Sequence, residues 1–139
     1  AVLADDWLAL LQLESVDFTL AWRHLADAAE GRDGVLRALF ADPQAPQAWL
    51  ARWRARCGHE HVQAGNRAEA MRRASPRIIP RHHRVEAALD AASETGDLVP
   101  FRRLLDALRR PFDDDPSLDE FAHPAPRERT AAYRTFCGT

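Results

Sequence analysis

The chain has 139 residues, 46% of them hydrophobic, with four tryptophans and 19 basic against 21 acidic side chains, a net charge of -2. That length and apolar content support one hydrophobic core and argue against wholesale disorder, and the near balance of charge excludes a general pull toward nucleic acid or anionic membrane. All 19 lysine-or-arginine positions are arginine, which excludes a Walker-type, kinase-type or Schiff-base lysine within this sequence.

Hydrophobic spacing predicts an all-α chain: an irregular bundle of about six helices followed by a proline-rich, mostly extended tail. Trp7, Leu8, Leu10 and Leu11 mark a first helix. Asp17 is the expected N-cap of a second, in which Phe18, Ala21, Trp22 and Leu25 fall at i, i+3, i+4 and i+7, with Gly31 as its stop. Val35, Leu36, Leu39 and Phe40 fit a short helix. Pro46 suits the first turn of the next, whose apolar side is Trp49, Leu50, Trp53 and Cys57. Asn66 and Glu69 have the spacing of a capping box opening a helix that runs to about Ala74.

Pro76 and Pro80 hold residues 75–80 out of helix. Val85, Ala88, Leu89 and Ala92 then restore helical spacing up to Gly96, and Asp97 is placed to cap the following helix. In that helix Leu98, Phe101, Leu104, Leu105 and Leu108 are expected to share one face before Pro111 ends it. The tail, residues 111–139, offers Ser117 and Glu120 as a further capping box, and Phe112, Phe121, Tyr133 and Phe136 as contacts onto the bundle. Residues 1–139 are expected to form a single domain. The absence of an initiator Met, with direct entry into helical periodicity, suggests a piece of a longer protein.

No apolar run approaches the roughly 20 residues needed to span a bilayer, and the first residues lack a signal peptide's basic region and cleavage site. Two cysteines, Cys57 and Cys137, make no disulfide framework, so the expected setting is intracellular.

Several clusters raise chemical possibilities. "CGHEH" groups Cys57, His59, Glu60 and His61, but a zincin pair stands one helical turn apart, whereas these histidines are two residues apart. Only Cys57 and His61, at i and i+4, would share a face of a continuing helix, and Cys57 also belongs to the tryptophan stripe, where a free thiol acts as a small hydrophobe. "RHHR", residues 81–84, stands at a helix N-terminus, where free N–H groups favour phosphate. The alternative is that its arginines pair with Glu86 or with Asp113–Asp115. The arginines from Arg67 to Arg84 would suit RNA, though aromatic residues for base stacking are missing among them. "FDDDP" suggests Mg²⁺ or acid catalysis, against solvated turn and capping roles. Cys137 lies near the chain end, where an accessible thiol can reach a second sulfur.

Several separated motifs occur together in order: "DFTLAWRHL", "WLARWRARC", "MRRASPRIIPRHHRVEAAL", "GDLVPFRRLLDALRRPFDDDP" and "YRTFCGT". Together they resemble the C-terminal region of the selenoprotein O family, kinase-like protein adenylyltransferases. The resemblance implies an accessory helical domain packing against an upstream kinase-like domain that binds ATP and Mg²⁺ and transfers AMP to hydroxyl side chains of protein substrates. That machinery lies upstream in the family, so the resemblance carries no catalytic, cofactor or metal residue onto this chain.

One position does carry over: Cys137, third from the C-terminus, stands where the family has a cysteine or selenocysteine, and resembles a redox handle for a cysteine of the kinase-like domain. Arg72, Arg73, Arg81, His83 and Arg84 are the candidate anion or domain-junction contacts. Ser75-Pro76 and His82-His83 depart from the family's asparagine-containing versions, which alters local capping. The expected setting is the bacterial cytoplasm, without nucleic-acid or membrane partners. A helical module binding phosphate or RNA through its arginines is the competing reading, and a metal enzyme around Cys57 and His61 the third.

Overall fold

A computed structural model describes residues 2–126, and the chain divides into two compact units, Ala1–Arg77 and Ile78–Thr139. The division falls inside the Pro76–Pro80 stretch, which is non-helical as expected from its prolines. Eight α-helices and one 3₁₀ turn occur among the described residues, without a strand; the fold is all-α. Six of these helices have eleven residues or more.

The first unit contains α1 (Val2–Leu13), α2 (Phe18–Ala29), α3 (Gly34–Ala38), α4 (Gln47–Gly58) and α5 (Ala64–Ala74). Asp17 starts α2 as its N-cap: its Oδ1 accepts the Leu20 N–H at 2.9 Å, satisfying one of the free donors of the first turn. Gly31, at φ 83°, lets the chain leave the helix through a left-handed position. The core is built around Trp7, which stacks on Trp49 at a centroid distance of 4.2 Å and meets Trp22 edge-on at 6.5 Å. Leu25, Leu36 and Leu50 fill the space around them. The Trp49 indole N–H donates to the Leu3 carbonyl at 2.7 Å, so this amphipathic side chain is buried with its polar atom satisfied.

Three details differ from the sequence expectation. Phe18 remains exposed at the edge of Trp22, while Ala21 and Leu25 carry the stripe inward. Pro46 precedes the first helical residue of α4 as its N-cap. The Asn66–Glu69 capping box does not form, because α5 starts at Ala64 with extended Gln63 as its cap, leaving Asn66 inside the helix. Glu69 turns instead to Arg73, one helical turn on.

The second unit opens with Ile78, fully buried, whose N–H donates to the Pro111 carbonyl at 3.1 Å. It continues with α6 (His82–Thr95), α7 (Val99–Arg109), the 3₁₀ turn Pro116–Leu118 and α8 (Asp119–Ala122). Gly96, at φ 69°, ends α6 in the left-handed conformation that glycine adopts without Cβ strain. Asp97 then accepts the Val99 N–H at 2.9 Å and helps open α7. Ile78, Ala88, Leu104, Ala107, Leu118, Phe121 and Ala122 form the core of this unit.

Here too the expectations are partly revised. Of the five positions assigned to one face of α7, Leu104 is buried and Leu108 packs beside it, whereas Leu98, Phe101 and Leu105 are exposed. Ser117 and Glu120 make no capping box; Asp115 caps the 3₁₀ turn, accepting both the N–H and the hydroxyl of Ser117. Phe121 reaches the core, but Phe112 does not. Tyr133, Phe136 and Cys137 lie outside the described residues.

Candidate functional site

The candidate arginines separate into two groups. In the first unit Arg72, on the last turn of α5, reaches α2, where its Nη2 stands 2.7 Å from Asp27 Oδ1 and also bonds Glu30. Burial pushes the Asp27 carboxyl up, but hydrogen bonds from Arg72 and His24, with their charges, hold it below its ordinary value. Glu30 is lowered too, chiefly by the Arg72 hydrogen bond and further by Arg32. The same bonds raise the Arg72 guanidinium. An external anion at Arg72 would therefore compete with two carboxylates already in place. Arg73, exposed, pairs with Glu69 within α5.

Arg23 escaped sequence reasoning because it interrupts the apolar stripe of α2 and reads as a solvent-facing charge. It is buried, and its Nη1 donates to the Arg72 carbonyl at 2.8 Å and the Ser75 carbonyl at 3.1 Å. Those are C-terminal acceptors that α5 cannot satisfy internally. The helix therefore ends on a buried guanidinium, where both the carbonyls and the helix dipole favour a cation.

In the second unit Arg81 is the buried N-cap residue of α6, with His83 and Arg84 half-buried in its first turn. Arg84 Nη1 lies 3.6 Å from Glu120 Oε2, and Arg103 bonds the same carboxylate. Glu120 thus ties α6 and α7 to α8, a role its sequence position did not disclose. Arg103 also lies over the Phe121 ring, 5.8 Å from its centroid. Beside this bridge opens a cavity of about 160 Å³ whose lining includes Ala88, Asp97, Val99 and Leu104. Its two guanidiniums are balanced by Glu120 and Asp97, so it presents no net positive field to an anion.

The "CGHEH" cluster does not converge. Helix α4 ends at Gly58, so Cys57 and His61 do not face each other across a helical turn. Among the described residues no group of three or more His, Cys, Asp or Glu is placed to hold a metal ion. Burial pushes the Cys57 thiol up, and Arg67 donates to its backbone carbonyl rather than to its sulfur. In "FDDDP", Asp115 takes the capping role and lies 3.2 Å from Arg110. No helix of the described residues is long and apolar enough to cross a membrane.

No family model matches the chain. It is, however, similar along its whole length to parts of longer bacterial proteins. It is 55% identical over 141 residues to the protein nucleotidyltransferase YdiU of Chromobacterium violaceum, covering 99% of this chain and 29% of that protein. The YdiU protein of Cereibacter sphaeroides is 49% identical over 139 residues, 27% of its own length. That of Bradyrhizobium sp. is 48% identical over 124 residues, or 88% of this chain and 25% of the relative. The chain thus spans between a quarter and three tenths of the relatives it matches, and with such identity along nearly all of its own length it corresponds to the C-terminal part of a selenoprotein O-like protein, similar to these YdiU proteins.

Proposed function

We propose that this chain is the accessory helical part of a selenoprotein O-like protein adenylyltransferase, and that the chemistry belongs to an upstream kinase-like domain. In that reaction a hydroxyl oxygen of a protein substrate attacks the α-phosphorus of ATP, and pyrophosphate leaves. One observation carries the reading: 99% of this chain matches a protein named nucleotidyltransferase while accounting for only 29% of that protein's length. The residues present do not fit ATP with Mg²⁺, since the sequence has no lysine and no described carboxylate or histidine cluster is arranged around a cation. No step through the nucleotide is assigned to them.

The partners in this reading are the upstream domain of the same polypeptide and the proteins it modifies, with no nucleic acid and no membrane. The setting is the bacterial cytoplasm, where thiols are held reduced until an oxidant arrives. Cys137 supplies the regulatory thiol. It forms a disulfide with a cysteine of the kinase-like domain as two thiols give two protons and two electrons to peroxide, which leaves as two waters.

The test is AMP transfer from α-labelled ATP with Mg²⁺, run on the full-length polypeptide and on the 139-residue chain. Label on protein hydroxyls is expected with the former and absent with the latter. Transfer by the short chain alone would overturn the division of labour. Peptide mapping after peroxide treatment, finding only free thiol at Cys137 in the full-length protein, would remove the redox role.

A further inference from the structure

Helix α7 presents two different faces. At 100° per residue, Leu104 and Ala107 point into the core of the second unit and are 6% and 0% exposed. Leu98, just before the helix, and Phe101, Arg102, Leu105 and Arg109 follow at i, i+3, i+4, i+7 and i+11, a stripe turned about 60–160° around the helix from Leu104. Leu98, Phe101 and Leu105 remain 47%, 41% and 37% exposed. The side chains of Arg102 and Arg109 make no hydrogen bond or ion pair with any described residue. Their neighbours contrast with them: Arg103 pairs with Glu120, and Arg110 with Asp106 and Asp115.

We propose that this outward face of α7 is a docking surface for the remainder of the polypeptide, and that the surface it meets is apolar at its centre and edged with carboxylates. The inference rests on the proposed function and adds to it the face and the chemistry of the contact. Three observations select this occupant. Some seven tenths of the length of the relatives lies outside this chain. A contiguous apolar stripe on a helix already packed on its other side marks an interaction surface rather than a core. The side chains of the arginines beside it have no carboxylate partner among the described residues. A second copy fits less well: in a two-fold contact centred on Leu105, Arg102 of one copy would face Arg109 of the other, bringing like charges together.

The experiment uses the full-length polypeptide carrying Leu105→Cys, with Glu94→Cys on the exposed side of α6 as reference. Maleimide labelling is read peptide by peptide, each rate normalised to the same thiol in urea. Leu105→Cys is expected to label about tenfold or more slowly than Glu94→Cys at all protein concentrations. Adding Arg102→Glu and Arg109→Glu is expected to restore much of the rate. Equal rates at the two thiols would overturn the proposal, as would protection that disappears on dilution, which assigns the face to a second copy. Indifference to charge reversal would overturn the acidic rim. AMP transfer by the same preparations separates the two readings. An active protein with a freely labelled Leu105→Cys overturns the docking surface alone; an inactive one with that thiol protected overturns the activity alone.

Discussion

At the scale of single residues, Arg72 shows how an apparent anion site becomes a structural tie. Its two partners, Asp27 and Glu30, have lowered pKa values in the folded chain. Their contribution to stability is therefore complete above the ordinary carboxylate range, near pH 4, and is lost as the pH falls through the lowered folded values. Arg72→Met is expected to cost about 1–2 kcal/mol at pH 7, and the gap from the parent chain should close in acid; urea midpoints at pH 7 and pH 3 measure this. Cys57 makes a second case. Burial raises its thiol, so alkylation at pH 8 should be slower than for an unstructured cysteine. Mass spectrometry of the Cys57 peptide against reaction time checks it, and fast labelling would mean that the helix end at Gly58 opens readily.

At the scale of elements, the adjacent residues Leu104 and Leu105 separate periodicity from packing. Helical spacing placed both on one broad apolar face, and on a wheel they lie 100° apart. The second core accepts only the first: Leu104 joins Ala107, Leu118 and Phe121, while Leu105 faces outward. Leu104→Ala is expected to destabilise the second unit by about 2–5 kcal/mol. Leu105→Ala in the same 139-residue chain should change stability by about 0.5 kcal/mol or less. Denaturation followed by circular dichroism distinguishes them, and equal losses would show that both leucines are core. The caps teach a related lesson. Asp17 and Gly96 act as read, because each uses only the backbone next to it. Asn66 and Ser117 do not, because packing moved the helix start to Ala64 in one case and gave the capping role to Asp115 in the other.

At the scale of the whole molecule, arginine content and arginine availability are different quantities. The run from Arg67 to Arg84 reads as a basic patch, yet Arg67, Arg72, Arg73 and Arg84 each stand against a carboxylate of this chain. With the overall charge at -2, counterion release on a polyanion has few free cations to draw on. Titration of the 139-residue chain with single-stranded RNA at low salt should accordingly give no affinity that is lost on changing Arg72, Arg73, Arg81 and Arg84 to Ala. A salt-dependent affinity that disappears in that variant would reinstate the RNA-binding reading.

Much of the architecture was legible in the sequence by itself: the all-α class, the six long helices, the stops at Gly31 and Gly96, the non-helical proline stretch and the family. These depend on local periodicity, on backbone conformations that few residues tolerate, and on motifs in linear order. Only the tertiary structure decided that Arg23 is buried beneath the end of α5, that Glu120 binds two arginines, that two cores form, and that α7 keeps an apolar stripe outside its own. Each of these depends on which side chains meet across distant stretches of chain, and hydrophobicity along a sequence records that a residue can be buried without recording against what.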